Sequence, residues 1–114
     1  MALSREQILS GNDRIPNLQV VQVPEWGGEV SLRPMTGKER ERFEASASSK
    51  IPDGTIRARL VALSACDDRG EPLFGEADVE ALADKSGVAL ERIFQAAIRI
   101  NGVSKAAIED LEKN

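Results

Sequence analysis

The groups in this chain able to do chemistry are one thiol, Cys66, and 19 Asp or Glu side chains, with no histidine among its 114 residues. Without histidine, the commonest acid/base near neutral pH and the commonest nitrogen ligand for zinc are both missing. A nucleophilic Ser or Cys would need activation by Lys or a carboxylate, and no spacing singles out such a pair. Cys66 ends an apolar helical run, which fits a buried structural thiol better than a reactive one. Three carboxylates crowd Asp67-Asp68-Arg69-Gly70-Glu71-Pro72, but they lack the alternating ligands and closing Glu of a calcium loop. That stretch reads as a solvated turn. Gly27-Gly28 lies between two apolar runs and matches neither a Walker nor a dinucleotide-binding pattern, so it reads as a hairpin turn. Paired-acid catalysis has only the number of acids in its favour. No catalytic, cofactor-binding or metal-ligating residue is expected.

Apolar residues make up 41% of the chain and charged ones 30%, a globular balance with few aromatics, so the core must be aliphatic. A chain of this length removes roughly two thirds of its unfolded surface from water, enough for one modest core. A single Cys excludes an internal disulfide framework and fits a reducing cytosol. Neither a signal-peptide pattern nor an apolar run long enough to cross a bilayer is present, so no membrane partner is expected. The net charge of −4 is unevenly spread, the half after residue 60 carrying eleven acids against six bases. That balance disfavours nucleic acid as the partner and suits either a segment bearing Lys or Arg or a plain solvated surface.

The elements that must position any site change period near Thr36. Val21, Val23, Val30 and Leu32 share one face of a hairpin, and Gln22, Trp26, Ser31 and Arg33 the other. A two-residue turn at Gly27-Gly28 sets Trp26 opposite Glu29 and Val23 opposite Leu32. Ser4 with Gln7 and Thr36 with Glu39 are capping-box spacings. Ile56, Leu60 and Leu63 mark a core helix to Cys66, which Asp53 is placed to cap. Phe74 is spaced to staple onto Val79 across a cap at Gly75. Ser86 caps a last long helix with Leu90, Ile93, Phe94, Ala97 and Ile98 on its buried face, and Asn101-Gly102 ends it. A short tail helix beginning at Ser104 has Ile108 and Leu111 as anchors. The fold class is α+β, an N-terminal β-hairpin packed on a bundle of about four helices. Residues 1–17 form an N-terminal segment and residues 18–114 one domain.

Pro24-Glu25-Trp26-Gly27-Gly28, Val30-x-Leu32-Arg33 and Met35-Thr36-Gly37-Lys38-Glu39-Arg40 resemble the opening of tail assembly chaperones from long-tailed phages and prophages. Leu60-Val61-Ala62-Leu63, Asp68-x-Gly70-x-Pro72-Leu73-Phe74 and Leu90-Glu91-Arg92-Ile93 follow in the family's order, so the likeness spans roughly residues 18–103. The resemblance implies a non-enzymatic protein of the host cytoplasm, absent from the finished virion. It implies binding to the tail tape measure protein, which it keeps soluble, and recruitment of tail tube subunits. An accessible apolar surface is needed for that, and a helix-in-groove mode would supply it. The candidate contacts are Trp26 and Arg33 on the outer hairpin face and Phe94, Ile98, Ile108 and Leu111 near the C-terminus. Ordinary core packing competes with contact for Trp26, Phe94 and Ile98. A structural tail completion or connector protein retained in the virion is the alternative, and homo-oligomerisation stays open. The family's frameshifted longer products imply one more expectation, a slippery A-rich run under Glu112-Lys113-Asn114.

Overall fold

A computed structural model describes residues 2–11, 13, 17–48 and 55–104. Its helices are α1 (Arg5–Ser10), α2 (Gly37–Ser48), α3 (Ile56–Ser64), α4 (Val79–Ala83) and α5 (Gly87–Asn101). Strands β1 (Gln19–Val23), β2 (Gly28–Leu32) and β3 (Ala65–Cys66) form one antiparallel sheet in that order. The fold is α+β, as expected. Asp53, Ile108 and Leu111, with the tail helix expected after Ser104, lie outside the described residues.

Pro24 sets how the hairpin closes. Its ring has no N–H for the ladder and a fixed φ that favours a first helical position, so a 3₁₀ turn forms over Pro24–Trp26. Gly27 then takes a left-handed conformation at φ 74°, and its N–H donates to the Pro24 carbonyl at 3.1 Å. The expected two-residue turn is thereby corrected: Val23 pairs with Gly28, Val21 with Val30 and Gln19 with Leu32. The shift is an even number of residues, so each side chain keeps its face. Val21, Val23 and Leu32 are buried, while Val20, Gln22 and Glu29 are exposed.

The third strand has no counterpart in the sequence reading, which ran the helix on to Cys66. α3 instead stops at Ser64, and Ala65 turns extended. Cys66 pairs with Ser31 and Ala65 with Leu32, while the Arg33 N–H donates to the Ser64 carbonyl at 2.8 Å. Beyond it, Asp67 Oδ1 accepts from the N–H groups of Arg69 (2.8 Å) and Glu71 (3.0 Å), and Gly70 sits at φ 83°. The acidic stretch is thus a turn organised on its first carboxylate.

α3 lies at the centre, packed on α5, α4 and α2, and α5 also reaches β1. Leu60 and Val61 of α3 meet Phe43 of α2, Val79 and Leu82 of α4, and Leu90, Ile93, Phe94 and Ile98 of α5 in one cluster. Each fully buried Leu, Ile or Phe contributes about 1.5–3 kcal/mol. The Ser86 cap on α5, whose Oγ accepts from the Ala89 N–H at 3.2 Å, contributes about 1 kcal/mol. Packing therefore holds α5 in place, and the cap defines where it starts.

Candidate functional site

Two features of the described residues are candidate sites. The first is the hairpin tip. Trp26, last residue of the 3₁₀ turn, is 37% exposed. Beside it the Glu25 carboxylate takes both terminal nitrogens of Arg92 on α5, the Nη2 contact at 2.9 Å, tying the tip to the helix bundle. That guanidinium and a backbone hydrogen bond hold the Glu25 carboxyl down at about 2, and the Arg92 guanidinium is raised in return. Trp26 is thus an exposed aromatic on an anchored turn.

The second feature is a cleft of about 180 Å³ among β2, α2, α3 and the loop leading to α4. Arg33, Arg42 and Arg59 line it with Glu39 and Glu76, over a wall that includes Leu63 and Phe74. Arg33 is 3% exposed and grips Glu39 through both terminal nitrogens, at 3.3 and 2.9 Å. Glu39 Oε1 also accepts the Thr36 N–H at 2.9 Å, and the Thr36 hydroxyl accepts the Glu39 N–H at 3.0 Å. The expected capping box is therefore formed, and its carboxylate doubles as the counterion of a buried arginine. Burial pushes the Glu39 carboxyl up, but the Thr36 N–H and the Arg33 guanidinium outweigh it and leave it below its ordinary value. Arg59, 9% exposed, pairs with Glu76. The Nε of Arg33 and of Arg59 is buried without a hydrogen-bond partner among the described residues.

The six candidate contacts separate accordingly. Trp26 presents surface. Arg33 does not lie on an open outer face: it is buried in the cleft between the first turn of α2, α3 and the loop to α4. Phe94 and Ile98 belong to the core, and the Arg57 guanidinium covers the Phe94 ring at 5.1 Å. Cys66 is a buried free thiol, raised by desolvation. No group of His, Cys, Asp and Glu among the described residues is arranged to hold a metal.

Sequence reasoning missed two features. Asn101, read only as a helix stop, ties α5 to α2 and to the loop before it: its Oδ1 accepts the Met35 N–H at 2.6 Å, its Nδ2 donates to the Ala97 carbonyl at 2.8 Å, and its carbonyl accepts from Arg40 at 2.8 Å. Only its place at the end of a long helix hinted at this. α1 carries the expected Ser4/Gln7 capping box yet buries none of its residues, leaving Leu3, Ile8 and Leu9 exposed.

A short antiparallel sheet laid on helices, with an anchored aromatic tip and an arginine-lined cleft, defines a small α+β domain whose exposed chemistry suits binding. The chain has the tail assembly chaperone fold. It is similar to the bacteriophage HK97 tail assembly chaperone with a TM-score of 0.60 over 83% of this chain and 94% of that one, at 20% identity. No protein-family model and no curated protein sequence matches it.

Proposed function

We propose that this protein is a phage tail assembly chaperone that binds the tail tape measure protein, keeps it soluble and helps recruit tail tube subunits. The observation that carries the reading is the fold likeness to the HK97 chaperone, which spans nearly all of that protein. It acts without catalysis, in the host cytoplasm, and is released before the virion is complete. No described helix is long and apolar enough to cross a membrane. Trp26 is the contact at the hairpin tip, and Ile108 and Leu111 supply apolar contacts from the C-terminal segment. A tape measure segment laid across the tip would bury the indole, and such aromatic anchors carry much of the energy of an interface.

Co-expression with the tape measure gene of the same cluster, followed by co-purification and mass spectrometry of finished particles, tests the role. A soluble complex, with this chain missing from virions, is the expected result. Recovery in virions at fixed stoichiometry would establish a structural tail protein instead. Trp26 is the chain's one tryptophan, so its emission should shift to the blue on binding, and Trp26→Ala should weaken the complex about tenfold or more. A complex of unchanged affinity from a folded Trp26→Ala variant would remove the tip from the interface.

A further inference from the structure

Buried guanidinium groups are ordinarily fully hydrogen bonded, because an unpartnered donor away from water is costly. The arginine cleft departs from this twice, at the Nε atoms of Arg33 and Arg59. Its lining carries three arginines against two carboxylates, a local positive excess on a chain of net charge −4. The two carboxylates are held very differently. Glu39 is fixed by the α2 cap, its side chain only 20% exposed. Glu76 sits on an exposed 3₁₀ turn, its side chain 74% exposed, and meets Arg59 from the solvent side. Arg42 stands exposed on the lining, with no ion pair to any described residue.

We propose that this cleft binds the carboxylate of an acidic side chain on a polypeptide partner, which displaces Glu76 and pairs with Arg59 and Arg42. A planar guanidinium matches a carboxylate in shape and takes it in two parallel hydrogen bonds. Leu63 and Phe74 offer apolar wall for the methylenes that carry the acid. The volume equals that of roughly six waters, enough for one side chain and too small for a helix. Glu76 is the internal occupant that keeps Arg59 neutralised until the partner arrives. Nothing in this depends on the chaperone role.

The test follows the arginine Nε–H resonances of the full chain by NMR while butanoate, its neutral counterpart butanamide, and inorganic phosphate are added in turn. Butanoate should shift the Arg59 signal saturably, butanamide should not, and phosphate should bind more weakly for want of the apolar contact. Glu76→Gln removes the competitor and should tighten butanoate binding by up to about fivefold, the value of an exposed ion pair. Arg42→Ala should weaken it by a similar factor. Both substitutions alter exposed side chains, and circular dichroism checks that each variant is folded. A capped peptide with one Glu between two leucines should bind tighter than butanoate and its Gln counterpart should not bind. No saturable shift, equal shifts with butanamide, or indifference to both substitutions would overturn the site. Phosphate binding tighter than butanoate would overturn the carboxylate assignment. A Glu peptide no tighter than butanoate would overturn the polypeptide partner.

Discussion

Replacing Glu39 by Ala tests the junction on which the hairpin meets the helices. The substitution strips a 3%-exposed arginine of its only counterion among the described residues and removes the acceptor of the Thr36 N–H. An exposed ion pair would cost about 0.2–1 kcal/mol to break. A buried pair broken on one side costs about 3–5 kcal/mol, because the remaining charge is left in a poor solvent. Glu39 keeps 20% of its side chain in contact with water, which places the expectation near 3 kcal/mol, the lower end of that range. Glu39→Gln keeps an acceptor for the Thr36 N–H and should cost less. Adding Arg33→Met to Glu39→Gln removes the stranded charge and should return stability to within about 1 kcal/mol of the parent. Urea unfolding of the parent, Glu39→Gln, Arg33→Met and the double variant, followed by circular dichroism at neutral pH, gives all four corners of this cycle, with unchanged m-values as the check on two-state behaviour. Acid supplies an independent sign. The folded Glu39 carboxyl lies below its ordinary 4.5, so its stabilisation is fully present above 4.5 and is lost as the pH falls below that value. Glu39→Gln should flatten that acid limb. A cost below about 1 kcal/mol for Glu39→Ala, with no recovery in the double variant, would show that Arg33 is well solvated and refute the reasoning.

Two further outcomes follow from the same geometry. Asn101→Ala leaves the Met35 N–H without its acceptor and should cost about 1–3 kcal/mol in urea unfolding, whereas a cost within about 0.5 kcal/mol would mean that water replaces the amide. Glu25 should titrate at about 2 by carboxyl carbon NMR, and Arg92→Ala should return it toward 4.5. The lowered value means that whatever stability this pair contributes is complete above 4.5 and disappears as the pH falls through about 2. A Glu25 that titrates near 4.5 in the parent protein would show that the tip is not tied to α5.

What the sequence by itself determined lies within a few residues of chain. The capping boxes at Ser4 and Thr36 and the Ser86 cap are hydrogen bonds between residues three apart, legible from side-chain type and spacing alone. The buried face of α5 and the two faces of the hairpin follow from period, and they survived a turn placed wrongly because the register moved by an even number. Tertiary structure decided what depends on residues distant in sequence. A two-residue strand at Ala65–Cys66 has no period to read and exists because β2 offers it an edge. Arg33 was read as exposed from strand alternation, yet the first turn of α2 and the loop to α4 close over it and leave Glu39 to neutralise it. Asn101 reaches Met35 across 66 positions of sequence, a contact that no local pattern announces. Hydrogen-bond spacing and side-chain period act locally and are written into the sequence, whereas burial and counter-charge arise only when distant segments exclude water from the same place.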